Sequence, residues 1–343
     1  MKKLPISFLL LLSVLFSSCD KKSNGGASGT PPTNLTVTAN VSTDNSGNVS
    51  FTAIATNATS FEYDFGNGIF QTVPSGIVTY LYPASGTYTV NVTAKSATGQ
   101  TVSKSIQITV TKTLVLLWSD EFNTPGLPDA SKWNYDIGTG SGGWGNNELE
   151  YYTNRLSNAE VANGVMKITV KKENFSGSSF TSARLLTKDK FFFKYGKVEA
   201  KAKLPAGGGT WPAIWMLGTD INTVSWPACG EIDIMEHLGN DLNKIYGTLH
   251  YPGRSGGNAN GSTKIIANAT TEFHIYSLEW SPSFIKIFVD DQLLHTVPNS
   301  SSIPFNHDFF LIMNVAMGGN FGGAVDPAFT SASMEIDYIR VYQ

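Results

Sequence analysis

The chain has 343 residues, a formal net charge of −3, 15% charged and 12% aromatic residues, 33 Gly and 15 Pro. So few charges and so many turn-formers exclude an architecture of long helices, and with no basic cluster in the sequence nucleic acid is not an expected partner. Two cysteines, Cys19 and Cys229, are too few for a disulfide framework.

The amino-terminal stretch opens with Lys2 and Lys3, continues through an apolar segment from Leu4 to Phe16, and reaches Ser17-Ser18-Cys19. That pattern predicts an export signal over residues 1–18, because the apolar run is too short to span a bilayer. The small residues before Cys19 resemble a bacterial lipobox. The resemblance implies cleavage before Cys19, lipidation of that residue, and an exported protein anchored by lipid at a bacterial outer membrane or cell surface. Loss of residues 1–18 removes two lysines and takes the formal charge from −3 to −5. Cys229 then has no intramolecular partner, and its apolar setting gives no reason for thiolate formation. Residues 19–32, rich in Gly, Ser and Pro, read as a flexible linker.

Residues 33–110 alternate apolar and polar positions in short runs: Leu35 to Val41, Val49 to Ala55, Ser60 to Phe65, Val78 to Tyr82, Gly86 to Ala94 and Ser103 to Val110. A period of two at this spacing predicts a small β-sandwich. Phe61 to Gly68, Tyr80-Leu81-Tyr82 and Gly86 to Val90 resemble the polycystic-kidney-disease (PKD) type of immunoglobulin-like domain, with Asn67 standing where that family often has Asp. Such a domain implies a spacer.

Residues 112–343 form a second block without internal repeats. Its strand-like runs are Leu114 to Trp118, Val165 to Lys171, Phe192 to Leu204, Ala213 to Leu217, Gly230 to Leu238, Ile245 to Tyr251, Phe273 to Trp280, Ile285 to Val289, Phe309 to Val315 and Met334 to Tyr342. The whole chain therefore reads as all-β, with two packed antiparallel sheets in this block.

Within Gly230 to Leu238, three carboxylates, Glu231, Asp233 and Glu236, interrupt an apolar run. Glu231 and Asp233 share one face of a strand, with Ile232 and Ile234 on the other. Glu236 lies at an odd offset and would enter the core unless one extra residue, near Met235, makes a β-bulge. A solvated acidic face fits poorly, since like charges on one face destabilise a strand, and no oxygen-rich loop is present for calcium. Carboxylates gathered on one face suit glycosidic bond hydrolysis. Trp211 and Trp215, four apart in a strand-like run, share a face. His237 reads as structural, and His274, His295 and His307 carry no signal.

The block resembles glycoside hydrolase family 16. The stretches that carry the resemblance are Trp118 to Phe122, Gly143 to Thr153, Thr181 to Arg184, Gly209 to Met216, the acidic strand, Thr248 to Tyr251, Ser277 to Trp280 and Glu335 to Tyr342. It implies a β-jelly-roll with an open cleft, Glu231 as nucleophile, Glu236 as acid/base and Asp233 as the residue that orients and tunes them. A retaining reaction of this kind sets its two carboxyls about 5 to 5.5 Å apart. Glu231 is expected to stay ionised through a hydrogen bond from Asp233. The family pattern further implies that Trp211, Trp215, Asn147, Arg184 and His250 contact substrate, and that catalysis needs no cofactor. Many members carry a structural calcium, here matched by Glu121, the Gly164 carbonyl and Asp337. The Met-containing acidic strand and the stretch Gly143 to Tyr152 look like laminarinases, which implies a monomeric endo-β-1,3-glucanase with some action on mixed-linkage β-1,3-1,4-glucan. A β-agarase or related galactanase and a non-catalytic glucan-binding surface protein are the alternatives.

Overall fold

The computed structural model describes residues 29–343; Cys19 and the expected signal segment lie outside them. Two large hydrophobic cores form, one from Val37 to Val110 and one from Phe122 to Val341. Residues 113–115 join them: the Thr113 N–H still donates to Asn45, while Val115 exchanges hydrogen bonds with Gln343.

The first unit packs a three-stranded sheet, in the order Thr33–Val41, Asn48–Thr56, Ile77–Leu81, with a four-stranded sheet, in the order Phe70–Val73, Ser60–Asp64, Gly86–Lys95, Thr101–Val110. Alternation drives it: Val49, Phe51 and Ala53 point inward from one strand, and Val90, Val92 and Ala94 from another. At the turn Gly66-Asn67-Gly68 both glycines take positive φ (77° and 83°), a backbone that suits glycine. Asn67 Nδ2 donates to the Tyr80 hydroxyl at 2.9 Å. An ionised aspartate there could only accept, from the Tyr80 O–H, so the departure at this turn reverses the direction of that bond.

The second unit is a sandwich of a ten-stranded and a seven-stranded sheet. The seven-stranded sheet runs Asn260–Ile265, Asp241–His250, Glu231–Leu238, Thr210–Gly218, Phe309–Met317, Arg184–Leu186, Asn134–Asp136. Ile214, Met216, Ile232, Leu311, Met313 and Val315 on its inner face meet Met166, Ile168, Val170, Val198 and Ala200 of the other sheet. The expectation of two purely antiparallel sheets needs one correction, because Glu150–Tyr152 pairs parallel with Ser178–Ser182. The expected run from Phe192 also shortens to Gly196–Lys203, since Tyr195 and Gly196 adopt positive φ and interrupt the ladder.

The strand Leu116–Asp120 is tied down by Asp120. Its Oδ2 accepts the buried Trp133 indole N–H at 2.7 Å, and Oδ1 accepts the Phe122 N–H and the Lys132 ammonium. Asp120→Ala would leave that indole N–H buried without a partner. The unfolding free energy of this unit, read by urea titration, is expected to fall by about 1–3 kcal/mol.

Candidate active site

Strand register lays out the outer face of the seven-stranded sheet as rows. Asp136, Arg184, Asn314, Ala213, Glu236 and Tyr246 are successive cross-strand partners. The next row holds Ile312, Trp215, Asp233 and Thr248, and the third Leu217, Glu231 and His250. Glu236 joins this face because the acidic strand is bulged. Trp215 pairs with Asp233 and Ile214 with Met235, so Ile234 has no partner. Ile234 and Met235, consecutive residues, both enter the core. That is the extra residue anticipated near Met235, and it returns Glu236 to the side of Glu231 and Asp233.

All three carboxyls have pKa values raised to about 8, and for each the first cause is desolvation by burial. Asp233 adds to the effect on both glutamates, while the Trp211 indole N–H, donating to Glu236 Oε1 at 2.9 Å, and Thr248 work against it at Glu236. At Glu231 the nearby His250 and Arg184 work against it. The expected Asp233-to-Glu231 hydrogen bond does not form among the described residues. Asp233 Oδ2 instead lies 3.2 Å from His250 Nε2, and Glu231 Oε1 lies 3.7 Å from the same nitrogen. The reason is register: His250 is the direct cross-strand neighbour of Glu231.

The other expected residues divide. Trp211 and Trp215 share the face, yet Trp211 serves Glu236 while the Trp215 N–H donates to Asn314 Oδ1 at 2.8 Å. The Arg184 guanidinium sits 4.8 Å from the Trp215 ring and 4.8 Å from Trp144, with Asp136 at 3.0 Å from its Nε. Asn147 is exposed and bonds Asn320 at 2.9 Å, on a turn whose Phe321 packs edge-on against Trp211 and Tyr246. His237 is buried, its Nε2 3.0 Å from the Leu242 carbonyl, as a structural histidine. Cys229 is also buried, its thiol pushed up to about 12 by desolvation.

Sequence reasoning missed Trp226, Thr248, Asn314 and Tyr152. Trp226 is 44% exposed and stands 5.7 Å from the His250 ring, just before a cis-proline. Nothing periodic surrounds it in sequence; its apposition to an acid-bearing strand comes only from the loop.

Glu231, Asp233 and His250 are also the described set closest to a metal site, their ligand atoms lying within 4.8 Å of one another. His250 argues against that use. The Gly256 N–H donates to His250 Nδ1 at 3.1 Å, so in the neutral ring the proton resides on Nε2, and the atom facing the acids is a donor. For calcium, Glu121, Gly164 and Asp337 are brought to one seam, where strands Leu116–Asp120 and Val165–Phe175 both pair with Ser331–Tyr342. Two carboxylates and a carbonyl suit that ion. As placed, however, Glu121 is held by both nitrogens of an Arg340 fork, which lowers its pKa, and Asp337 by Lys201 at 2.6 Å.

A family model for glycosyl hydrolases family 16 matches residues 146–340, and one for the PKD domain matches residues 34–110. The chain belongs to glycosyl hydrolases family 16. It is 45% identical over 245 residues to a beta-glucanase from Rhodothermus marinus, covering 66% of this chain and 85% of that protein. Among solved structures, the laminarinase from Rhodothermus marinus superposes with a TM-score of 0.65 at 45% identity, covering 67% of this chain and 98% of that one. A LamA variant from Z. galactanivorans, solved in complex with laminaritriose and laminaritetraose, has a TM-score of 0.62 at 44% identity, covering 67% and 99%. The family's jelly-roll sandwich is the fold of the second unit.

Carboxyls raised on folding hold protons that the unfolded chain has released. Asp233, raised from 3.8 to about 8, therefore supports a stability that is complete below about pH 4 and is lost as pH rises through about 8. Asp233→Asn removes the charge that burial penalises. Its melting temperature relative to wild type is expected to rise progressively from pH 4 to pH 8 in thermal scans, and a pH-independent difference would contradict the burial argument.

Proposed function

We propose that this protein hydrolyses internal β-1,3 bonds of laminarin-like glucan with retention of anomeric configuration, and that it also acts on mixed-linkage β-1,3-1,4-glucan. The observation that carries the reading is the bulge that sets Glu231, Asp233 and Glu236 on one face of a glycosyl hydrolase sandwich, flanked by Trp211, Trp215 and Trp226. The similarity to laminarinases supports the choice of glucan.

In this reading the Glu231 carboxylate attacks the anomeric carbon while Glu236 gives its proton to the departing glycosidic oxygen. The C–O bond breaks and a glycosyl ester forms on Glu231. Glu236, now ionised, takes a proton from water, whose oxygen attacks the same carbon and releases Glu231. Burial and the neighbouring Asp233 keep Glu236 protonated near neutral pH, as the first step requires. Glu231 must ionise, and two features favour it over Asp233: a more exposed side chain (16% against 6%) and the lowering influence of the nearby Arg184 guanidinium and His250 ring. Asp233, held by its contact with His250, orients and tunes the pair. Flat indole faces give the sugar rings their apolar platforms, and Arg184, Asn147 and His250 supply polar contacts at the rim.

The same reading makes the protein a monomer, exported and lipid-anchored through Cys19 at a bacterial outer membrane or cell surface, with the PKD domain as its spacer. It also includes a structural calcium at Glu121, Gly164 and Asp337, whose binding would displace Arg340 and Lys201.

Activity and stability measurements test these assignments. Digestion of laminarin followed by NMR should show the β-anomer of the new reducing end first, Glu236→Gln should lower kcat by about 10²–10⁴-fold, and Glu231→Ala should abolish turnover. Unchanged hydrolysis in Glu231→Ala would remove the catalytic assignment, and release of reducing ends from agarose alone would move the substrate to a galactan. For calcium, EDTA should lower the melting temperature and added calcium restore it; a melting temperature indifferent to both would remove the ion.

A further inference from the structure

The wall of the cleft beside Asp233 contains a hydrogen-bond chain that no step of the proposed reaction uses. Trp215 Nε1–H donates to Asn314 Oδ1 at 2.8 Å, Asn314 Nδ2 donates to the Tyr152 hydroxyl at 3.0 Å, and Tyr152 O–H donates to Glu148 Oε2 at 3.0 Å. Its direction is set by its ends. An indole N–H cannot accept and a carboxylate cannot donate, so the amide of Asn314 and the hydroxyl of Tyr152 each have one orientation that completes the chain.

The far end is well held. Glu148 Oε1 accepts from Asn146 Nδ2 at 3.2 Å, and the Glu148 N–H bonds the Gly143 carbonyl. Beneath it Glu150 is sealed from solvent, with Oε2 accepting the Met317 N–H at 2.7 Å. Burial and the adjacent Glu148 raise the Glu150 pKa well above the usual carboxyl range, which favours its protonated form. Tyr152 itself is fully buried, which keeps it a phenol and a donor. At the near end Trp215 is fixed twice, at its edge by Asn314 and on its face by Arg184, which in turn lies against Trp144.

We propose that Glu148 and Tyr152 are positioning residues that set the tilt of the Trp215 ring and thereby the affinity for the glucan ring stacked on it. This rests on the glucanase reading and deepens it. Neither residue touches the reacting atoms. Removing a link frees the Asn314 amide to turn and leaves the Trp215 N–H without its partner, so the platform samples several tilts. Stacking is shared by ground and transition states, so its loss raises KM and leaves kcat in place.

Three variants of the full chain, assayed on laminarin with melting temperatures recorded alongside, test the role. Tyr152→Phe keeps the ring and removes the hydroxyl, Glu148→Leu removes the acceptor, and Glu148→Gln keeps a carbonyl that can accept. KM is expected to rise about 5- to 10-fold in the first two, with kcat within about twofold of wild type, and Glu148→Gln is expected to recover most of the lost affinity. An unchanged KM in Tyr152→Phe and Glu148→Leu, a fall in kcat at constant KM, or no recovery in Glu148→Gln would overturn the positioning role, whatever happens to the melting temperature. A wild-type chain that leaves laminarin intact would overturn the glucanase reading, and this role with it.

Discussion

Charge buried on a sheet face is the constraint around which the second unit is organised. Three carboxyls occupy one strand, and each loses water that the unfolded chain would give it. A regular strand would send one of them into the core, where no cation waits. The bulge at Ile234 and Met235 avoids that outcome by feeding two successive apolar side chains inward and bringing the third acid back to its neighbours. Packing and chemistry are thus satisfied by one irregularity, because the residue that spoils the alternation is itself a core residue.

Around those acids the sheet supplies donors from both sides. Trp211 comes from the strand on one flank and Thr248 and His250 from the strand on the other, each already at the right height because antiparallel register fixes which residues face each other. No long helix and no disulfide takes part among the described residues. The helical turns among the described residues are short, and the one at Gly319–Gly322 matters here because it presents Phe321 to Trp211 and Tyr246.

The acidic strand was legible in sequence because an odd offset between carboxylates has few explanations in an apolar run. So were the long strands of both units, whose alternation extends over five or more residues. Short elements were not. Asn134–Asp136, Glu150–Tyr152 and Arg184–Leu186 have three residues each, too few to display a period, yet they deliver Asp136, Tyr152 and Arg184 to the cleft. Asn314 was hidden for another reason: every residue of Phe309–Met317 is buried, so a polar residue on the outer face cannot be told from one on the inner face. Partnerships across strands, such as that of His250 with Asp233, depend on register, and register is a property of pairs of strands rather than of either one alone.

The bond from the Gly256 amide to His250 has a wider consequence. By occupying the ring's lone pair on the loop side, it leaves only a proton facing outward into a pocket otherwise well furnished to sequester zinc or copper. A single peptide group, donated by a glycine-rich loop, thus disfavours metal capture at the very atoms that gather the acids.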